Sequence, residues 1–332
     1  PAHFSLFGYD PIKYNIGRGI LEAAGIDFPL TNRDVVARIN FATADKDGTI
    51  IDRRAGRISS EENMRICEKL QKNISLDAPI EIIVRPVKEH RAVLVLRGDN
   101  LFGDIEDTDP QREGLRPLDP IPQNKNSENT ALIIKEFINK TQKLLSDERY
   151  ANTLLLRGIA KNRVYPTMGE RYGLHSIAIA SYPMYRGIAR LLGMTIYPPP
   201  EKISHEIDAL AEVYSDYDFF FVHIKQTDSR GEDGNFDGKV AVIEEVDTLL
   251  PKVLNLTPDV LVVTGDHSTP ALLQSHSWHP LPVILHSKYG RIDGVNRFDE
   301  MSCIHGSLGR INAMELMTLS LAHAKRLLKF GA

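Results

Sequence analysis

Cysteine is nearly missing from this 332-residue chain: Cys67 and Cys303 are the only two, and they lie far apart. That excludes a disulfide scaffold and a cysteine-rich zinc module, and it suits a reducing cytoplasm. Neither sign of charge dominates, since 40 Lys+Arg oppose 44 Asp+Glu for a formal net charge of −4. Non-specific nucleic-acid binding needs a basic surface, so that class is set aside, while a local positive pocket for an acidic metabolite stays open. No apolar run reaches the ~20 residues of a membrane-spanning helix. No charged-then-apolar signal peptide opens the chain, and repeats of ~20–50 residues are lacking. What is present is an ordinary soluble composition, 42% hydrophobic and 25% charged, with apolar residues enough for a sizeable core. The length suggests about two domains, in a monomer or homo-oligomer.

Glycine and proline punctuate the chain into two textures. A short helix over residues 17–25, stopped by Gly25, marks a first boundary. Residues 26–165 mix strands at 35–41, 80–84 and 92–96 with helices at 60–72 and 129–145. The intervening stretch 104–129, rich in Pro, Asp and Asn, reads as a long loop of the kind that is often functional. From 166 onward, strands at 176–180, 219–224, 260–264 and 282–285 alternate with helices at 184–192, 238–250 and 312–330. Apolar strands alternating with helices predict an α/β sheet covered on both faces, where loops after the strand C-termini carry the site.

Those strand ends are rich in metal-binding residue types. Strand 219–224 runs into Lys225-Gln226-Thr227-Asp228-Ser229-Arg230-Gly231-Glu232. Strand 260–264 runs into Gly265-Asp266-His267-Ser268-Thr269-Pro270, followed by His276-Ser277-Trp278-His279. Hard divalent ions such as Mn²⁺ prefer carboxylate oxygen and tolerate imidazole beside it. A single Asp after a strand commonly just caps the next helix or turn. Three such loops in one half of the chain favour a metal site.

Taken together, Ala2-His3-Phe4-Ser5-Leu6-Phe7-Gly8-Tyr9-Asp10-Pro11, Arg53-Arg54-Ala55-Gly56-Arg57, Thr227-Asp228, Thr264-Gly265-Asp266-His267-Ser268-Thr269-Pro270 and Gly306-Ser307-Leu308-Gly309-Arg310 carry a resemblance. They resemble the archaeal-type, 2,3-bisphosphoglycerate-independent phosphoglycerate mutases of the alkaline phosphatase superfamily, over essentially the whole chain. The resemblance implies an alkaline-phosphatase-like α/β core from residues 1–25 and 166–332, with an inserted α+β cap over 26–165. It also implies two divalent ions, Mn²⁺ or Mg²⁺, a phosphoserine intermediate, and no 2,3-bisphosphoglycerate cofactor. The substrate is then a small molecule, phosphoglycerate, interconverted between its 3- and 2-phospho forms in the cytoplasm.

Position by position, Asp266 and His267 resemble ligands of the ion that activates the nucleophile, and Asp228 and His276 those of a second ion. Glu232 stands four residues after Asp228, where many relatives have a His. His3 resembles a residue just after the nucleophile segment, so the attacking serine and a first-strand Asp are expected upstream of Pro1. His175 stands where relatives commonly carry a phosphoryl-contacting Lys. Phosphoglycerate carries roughly three negative charges, which arginines match with bidentate hydrogen bonds. Arg53, Arg54 and Arg57 in one loop, and Arg97 and Arg157 at strand ends before glycines, are the candidates for its carboxylate and phosphate. His223, inside an apolar strand, reads as a core histidine. A phosphatase or phosphopentomutase of the same superfamily, or a non-catalytic phosphometabolite-binding relative, are the competing readings.

Overall fold

In the computed structural model, which describes residues 2–14 and 16–328, the chain separates into two units. One comprises Pro1–Asn15 with Pro166–Ala332, the other Ile16–Tyr165. Helix α1 (Ala2–Leu6) belongs to the first unit, and α2 (Arg18–Gly25) opens the second. The sequence boundary at residue 25 grouped α2 with the core, but α2 lies directly on the second unit's sheet. A Cβ on Gly19 would meet the Ala37 Cα at 2.6 Å, so only glycine permits that approach.

The second unit is an antiparallel sheet with its two longer helices on one face and α2 against the other. Its elements are β1 (Asp34–Ala44), β2 (Ile50–Asp52), α3 (Ser60–Asn73), β3 (Glu81–Lys88), β4 (Arg91–Arg97), α4 (Glu128–Leu144) and β5 (Thr153–Lys161). Central β1 pairs with β4 on one side and β5 on the other, β3 extends the β4 edge, and β2 pairs with the end of β1. Side chains alternate across a strand. Val35, Ala37, Ile39 and Phe41 therefore enter a core with Leu70 and Phe137 from α3 and α4, while Arg38 and Asn40 take the opposite face. Ser59 caps α3 by accepting from the Glu62 amide at 3.2 Å. Asn63, fully buried in α3, donates to the Glu89 and Arg91 carbonyls and ties the helix to the β3–β4 turn.

Strand β5 continues through Arg157 and Gly158, where a strand end was expected. Gly158 adopts φ +59°, and a Cβ there would clash with the backbone of Arg18, so the glycine bends the strand without ending it. The long segment before α4 is pinned to β5: the Thr108 amide donates to the Leu156 carbonyl at 2.9 Å, and its hydroxyl accepts from the Leu156 amide at 2.8 Å.

The first unit resumes with α5 (Met168–Tyr172), β6 (Ser176–Ala180), α6 (Pro183–Leu191), β7 (Thr195–Ile196), α7 (Ile203–Val213) and β8 (Phe219–His223). It continues through α8 (Gln226–Glu232), α9 (Phe236–Asn255), β9 (Val260–Val263), β10 (Ile284–Ser287), α10 (Glu300–Cys303) and α11 (Ala313–His323). Residues 329 and 330, expected to finish the last helix, lie outside the described residues. Instead of one sheet, the described residues form a parallel sheet in the order β7-β6-β8 and an antiparallel pair, β9 with β10. Alternation along β8 positions the site. Phe220 and Val222 pack with Ile207, Leu210 and Val253 of α7 and α9. Phe221 and His223 face α1, with Phe221 edge-on to Phe7 at 4.9 Å and the His223 ring 5.4 Å from that of His3. No helix among the described residues is long and apolar enough to cross a membrane.

Candidate metal centre

Two strands of the first unit end beside one another's candidate ligands. After β8, the chain turns into α8, which carries Asp228 in its first turn and Glu232 at its end. The segment expected as a loop is thus a short helix, and i,i+4 spacing puts both carboxylates on one face. After β9 come Asp266, His267 and Thr269, and a bridge between Ser268 and Ser277 brings the following strand segment, with His276, back alongside. Gly231 lies against the Thr269 carbonyl with no room for a Cβ, which lets α8 press onto this turn.

The result is a convergent donor set. Ligand atoms of Asp228, His267 and His276 all lie within 4.8 Å of one another. His276 Nε2 is 3.5 Å from both an Asp228 oxygen and a Glu232 oxygen. His267 faces two ways: its Nδ1 is 3.8 Å from Asp228, and its Nε2 is 3.2 Å from Asp266. Asp266 in turn lies 3.4 Å from Nδ1 of His3, and the rings of His267 and His276 stack at 3.7 Å. The sequence reading divided these ligands into Asp228, Glu232 and His276 against Asp266 and His267. In the structure His267 belongs to both groups.

Electrostatics sort the carboxylates. Burial works against charge on Asp228, but the Lys225 ammonium and the Thr269 hydroxyl, which donates at 2.6 Å, hold its carboxyl below the usual range. Asp228 is therefore an anion at neutral pH. Burial pushes Asp266 the other way, raising its carboxyl above the ordinary value. His223 is pushed down to about 4, by burial and then by Lys225, so it stays neutral as a core residue should. Burial, followed by the neighbouring His223, also holds His3 well below its usual value. The donor set of carboxylates with imidazoles beside them fits a divalent ion of the Mn²⁺ type better than an all-oxygen calcium cage.

Three neighbours escaped the sequence reading. Lys225 carries a usable signal, sitting three residues before Asp228, and Thr269 stands two after His267. Tyr185 carries none: it arrives from α6, its ring 3.9 Å from His223 and 4.3 Å from His3. Burial and then Asp266 and Asp228 raise its hydroxyl.

Other candidates lie elsewhere. His175 precedes β6, whose parallel register matches Ser176 with Phe219 and Ala180 with His223. It is thus at the opposite end of the sheet from the strand ends that carry Asp228. There it bonds the Asp216 carbonyl at 2.9 Å and stacks on Tyr217. His279 bonds Ser277 beside an exposed Trp278. In the second unit, Arg97 grips buried Asp34 and Arg53 grips buried Asp109, each through two hydrogen bonds. Arg157 lies 3.5 Å from Asp109. Arg54 and Arg57 are exposed on a turn where Ala55, Gly56 and Arg57 all take positive φ (49°, 64° and 53°). Asp52 holds that turn by accepting from the Arg54 and Gly56 amides at 2.7 and 2.6 Å.

Comparison with known proteins adds to this geometry. The family described as 2,3-bisphosphoglycerate-independent phosphoglycerate mutase matches residues 1–151, and the Metalloenzyme superfamily matches residues 85–323. A protein of Aquifex aeolicus named "Probable 2,3-bisphosphoglycerate-independent phosphoglycerate mutase" is 48% identical, spanning all of this chain and 84% of its own length. A Thermotoga maritima protein of the same name is 48% identical over all of this chain and 82% of its own. Among solved structures, the cofactor-independent phosphoglycerate mutase of Thermoplasma acidophilum superposes with a TM-score of 0.73 at 30% identity, covering 97% of this chain and 85% of that one. A Pyrococcus horikoshii protein superposes with a TM-score of 0.81 at 26% identity, covering 100% and 84%.

Proposed function

The chain belongs to the 2,3-bisphosphoglycerate-independent phosphoglycerate mutases, and from that premise we propose how its residues serve the interconversion of 3- and 2-phosphoglycerate. The enzyme is an isomerase working by metal-dependent phosphoryl transfer, without 2,3-bisphosphoglycerate. The observation that carries the proposal is the convergence of Asp228, His267 and His276 at the ends of β8 and β9.

Asp228, kept ionised by Lys225 and Thr269, supplies a permanent negative donor, and His276 with Glu232 completes one ion's ligands. Asp266 with Nε2 of His267 serves a second ion, Mn²⁺ or Mg²⁺. When bound, such ions neutralise charge on a phosphoryl group and lower the pKa of an attacking hydroxyl. His3 keeps the far side of Asp266 occupied and, being neutral, adds no charge of its own. The transfer passes through a phosphoserine, and Arg54 and Arg57, whose guanidiniums are exposed, recognise substrate anions. Arg53, Arg97 and Arg157 act mainly by holding Asp109 and Asp34. A cytoplasmic setting suits both free thiols, Cys67 and Cys303.

The test, made on a polypeptide that carries the attacking serine, is turnover of 3-phosphoglycerate to 2-phosphoglycerate with added Mn²⁺ and no bisphosphoglycerate. Turnover should vanish with chelator and in Asp228→Ala. Release of inorganic phosphate in place of 2-phosphoglycerate, or turnover indifferent to chelator, would overturn the proposal.

A further inference from the structure

Among the described strands, β3 is an outer strand of the second unit's sheet, paired with β4 on one side only. Such an edge presents N–H and C=O groups to any extended chain that approaches. The main-chain groups of one residue point the same way, and that direction alternates along a strand. The outward groups of β3 are therefore those of Ile82, Val84 and Pro86, while Ile83 and Arg85 turn theirs toward β4.

Side chains already occupy that edge. Gln71, in the last turn of α3, lays its carboxamide along it: Nε2 donates to the Ile82 carbonyl at 3.0 Å, and Oε1 accepts from the Val84 amide at 2.8 Å. One side chain thus makes the two bonds that one residue of a parallel neighbouring strand would make. Arg85 braces the arrangement, its Nη1 donating to the Val84 carbonyl at 3.0 Å and to Oε1 of Gln71 at 3.3 Å. The next outward residue, Pro86, has no N–H to offer, and proline within a sheet is confined to such edges. Val84 is 1% exposed, so its amide has little water to turn to when Gln71 is gone. Gln71 itself is exposed and lies outside the apolar core.

We propose that Gln71 is a plug that keeps the β3 edge from pairing with the same edge of a second copy of this chain. A second copy is the partner this edge fits, through an antiparallel, two-fold register centred on Val84. In that register Val84 exchanges both bonds with Val84 of the second copy, and each Ile82 amide donates to the Pro86 carbonyl across from it. The absent proline N–H leaves only the Ile82 carbonyl without a partner. The same register sets Arg85 of the second copy opposite Ile83, hence diagonal to Glu81 and within reach of a long side chain. Glu81 and Arg85 are both exposed and opposite in charge, and the two-fold axis forms that pair twice. The Val84 amide that this contact needs is the one Gln71 holds, so the edge opens only when the carboxamide is displaced.

The experiment is sedimentation velocity of the full chain over a range of concentrations, in wild type, Gln71→Met and Gln71→Ala. Both substitutions keep a good helix former and remove the carboxamide. Each should raise the self-association constant by about 10-fold or more, because the Gln71 bonds of both copies no longer oppose pairing. Adding Arg85→Glu to Gln71→Met should return association to the wild-type level, and adding Glu81→Arg as well should restore it. A purely structural role for Gln71 predicts no such charge-swap rescue. Hydrogen exchange at the Val84 amide supplies a readout in wild type itself, where protection should be strong at every concentration. In Gln71→Met that protection should instead grow with concentration. Wild-type sedimentation of both Gln71 variants, association indifferent to Arg85→Glu, or rapid exchange at Val84 in wild type would each overturn the proposal.

Discussion

Replacing Asp34 by Asn tests whether Arg97 is a structural clamp. The Asp34 side chain is fully buried and receives four hydrogen bonds, two at each oxygen. Oδ1 accepts from the Thr31 hydroxyl at 2.9 Å and Arg97 Nε at 2.7 Å. Oδ2 accepts from the Thr31 amide at 2.7 Å and Arg97 Nη2 at 2.9 Å. Asparagine keeps the shape but turns one acceptor into a donor, so whichever way it flips, two donors lose their partner. One of them is a guanidinium N–H, where a bond contributes about 1.5–3 kcal/mol, and the other costs about 1–3 kcal/mol if left unsatisfied. Arg97 retains 22% exposure and can recover part of its loss from water. The expected destabilisation is therefore about 3 kcal/mol, the lower end for a broken buried ion pair. Native-state hydrogen exchange of the β1 and β4 amides reads it directly, and the single tryptophan is no substitute because Trp278 lies in the other unit. Arg97→Met should cost a similar amount, and the double variant less than the sum. The same reasoning fixes a pH signature. Asp34 is held below the usual carboxylate range, against burial, by Arg97 and Thr31. Its stabilisation is thus complete above the unfolded pKa of about 3.9 and fades as pH falls through the lower folded value. Wild-type stability should drop below about pH 4, where that of Asp34→Asn stays flatter. A loss under about 1 kcal/mol with a raised KM in Arg97→Met would refute the clamp and return Arg97 to the substrate.

Glu206 is 1% exposed, neither carboxylate oxygen has a partner among the described residues, and burial pushes its carboxyl up to about 8. The unfolded chain then releases the proton first, so stability falls between the unfolded pKa and about 8. Urea titrations should show Glu206→Gln gaining about 3 kcal/mol on wild type between pH 5 and pH 8; parallel curves would contradict it. Gly231→Ala places a methyl group against the Thr269 carbonyl, so Mn²⁺ affinity should fall about 10-fold although no ligand changes. Wild-type affinity there would show that the α8 contact does not position Asp228. Arg54→Ala and Arg57→Ala should lower kcat/KM about 10-fold or more with stability shifts within about 0.5 kcal/mol, and wild-type kinetics would remove both from the substrate site.

The candidate ligands that converge, Asp228, His267 and His276, were legible because each sits in a local motif near the end of an apolar strand, and strand ends are readable from a few adjacent residues. The roles of Arg53 and Arg97 were not, since their partners Asp109 and Asp34 are 56 and 63 positions away. Nothing local separates an arginine awaiting substrate from one already holding a carboxylate. Arg157 was misplaced for a different reason: Gly158 reads as the end of an apolar run, whereas its positive φ merely bends β5. His175 followed the resemblance, yet the parallel register of β6 and β8 sets it at the wrong end of the sheet.

The path of the chain through the two units also orders events during synthesis. Residues are added from N- to C-terminus, so α1 emerges early and must wait, with His3 and Phe7 unburied, while the whole Ile16–Tyr165 unit is made. That unit has all its strands in hand by Lys161 and can close before β6 exists. His3 can meet Asp266 only after β9 and the turn that follows it have been made. The candidate metal centre is therefore assembled only after the Ile16–Tyr165 unit, and a chain stalled before Asp266 exposes isolated donors without ever bringing them together.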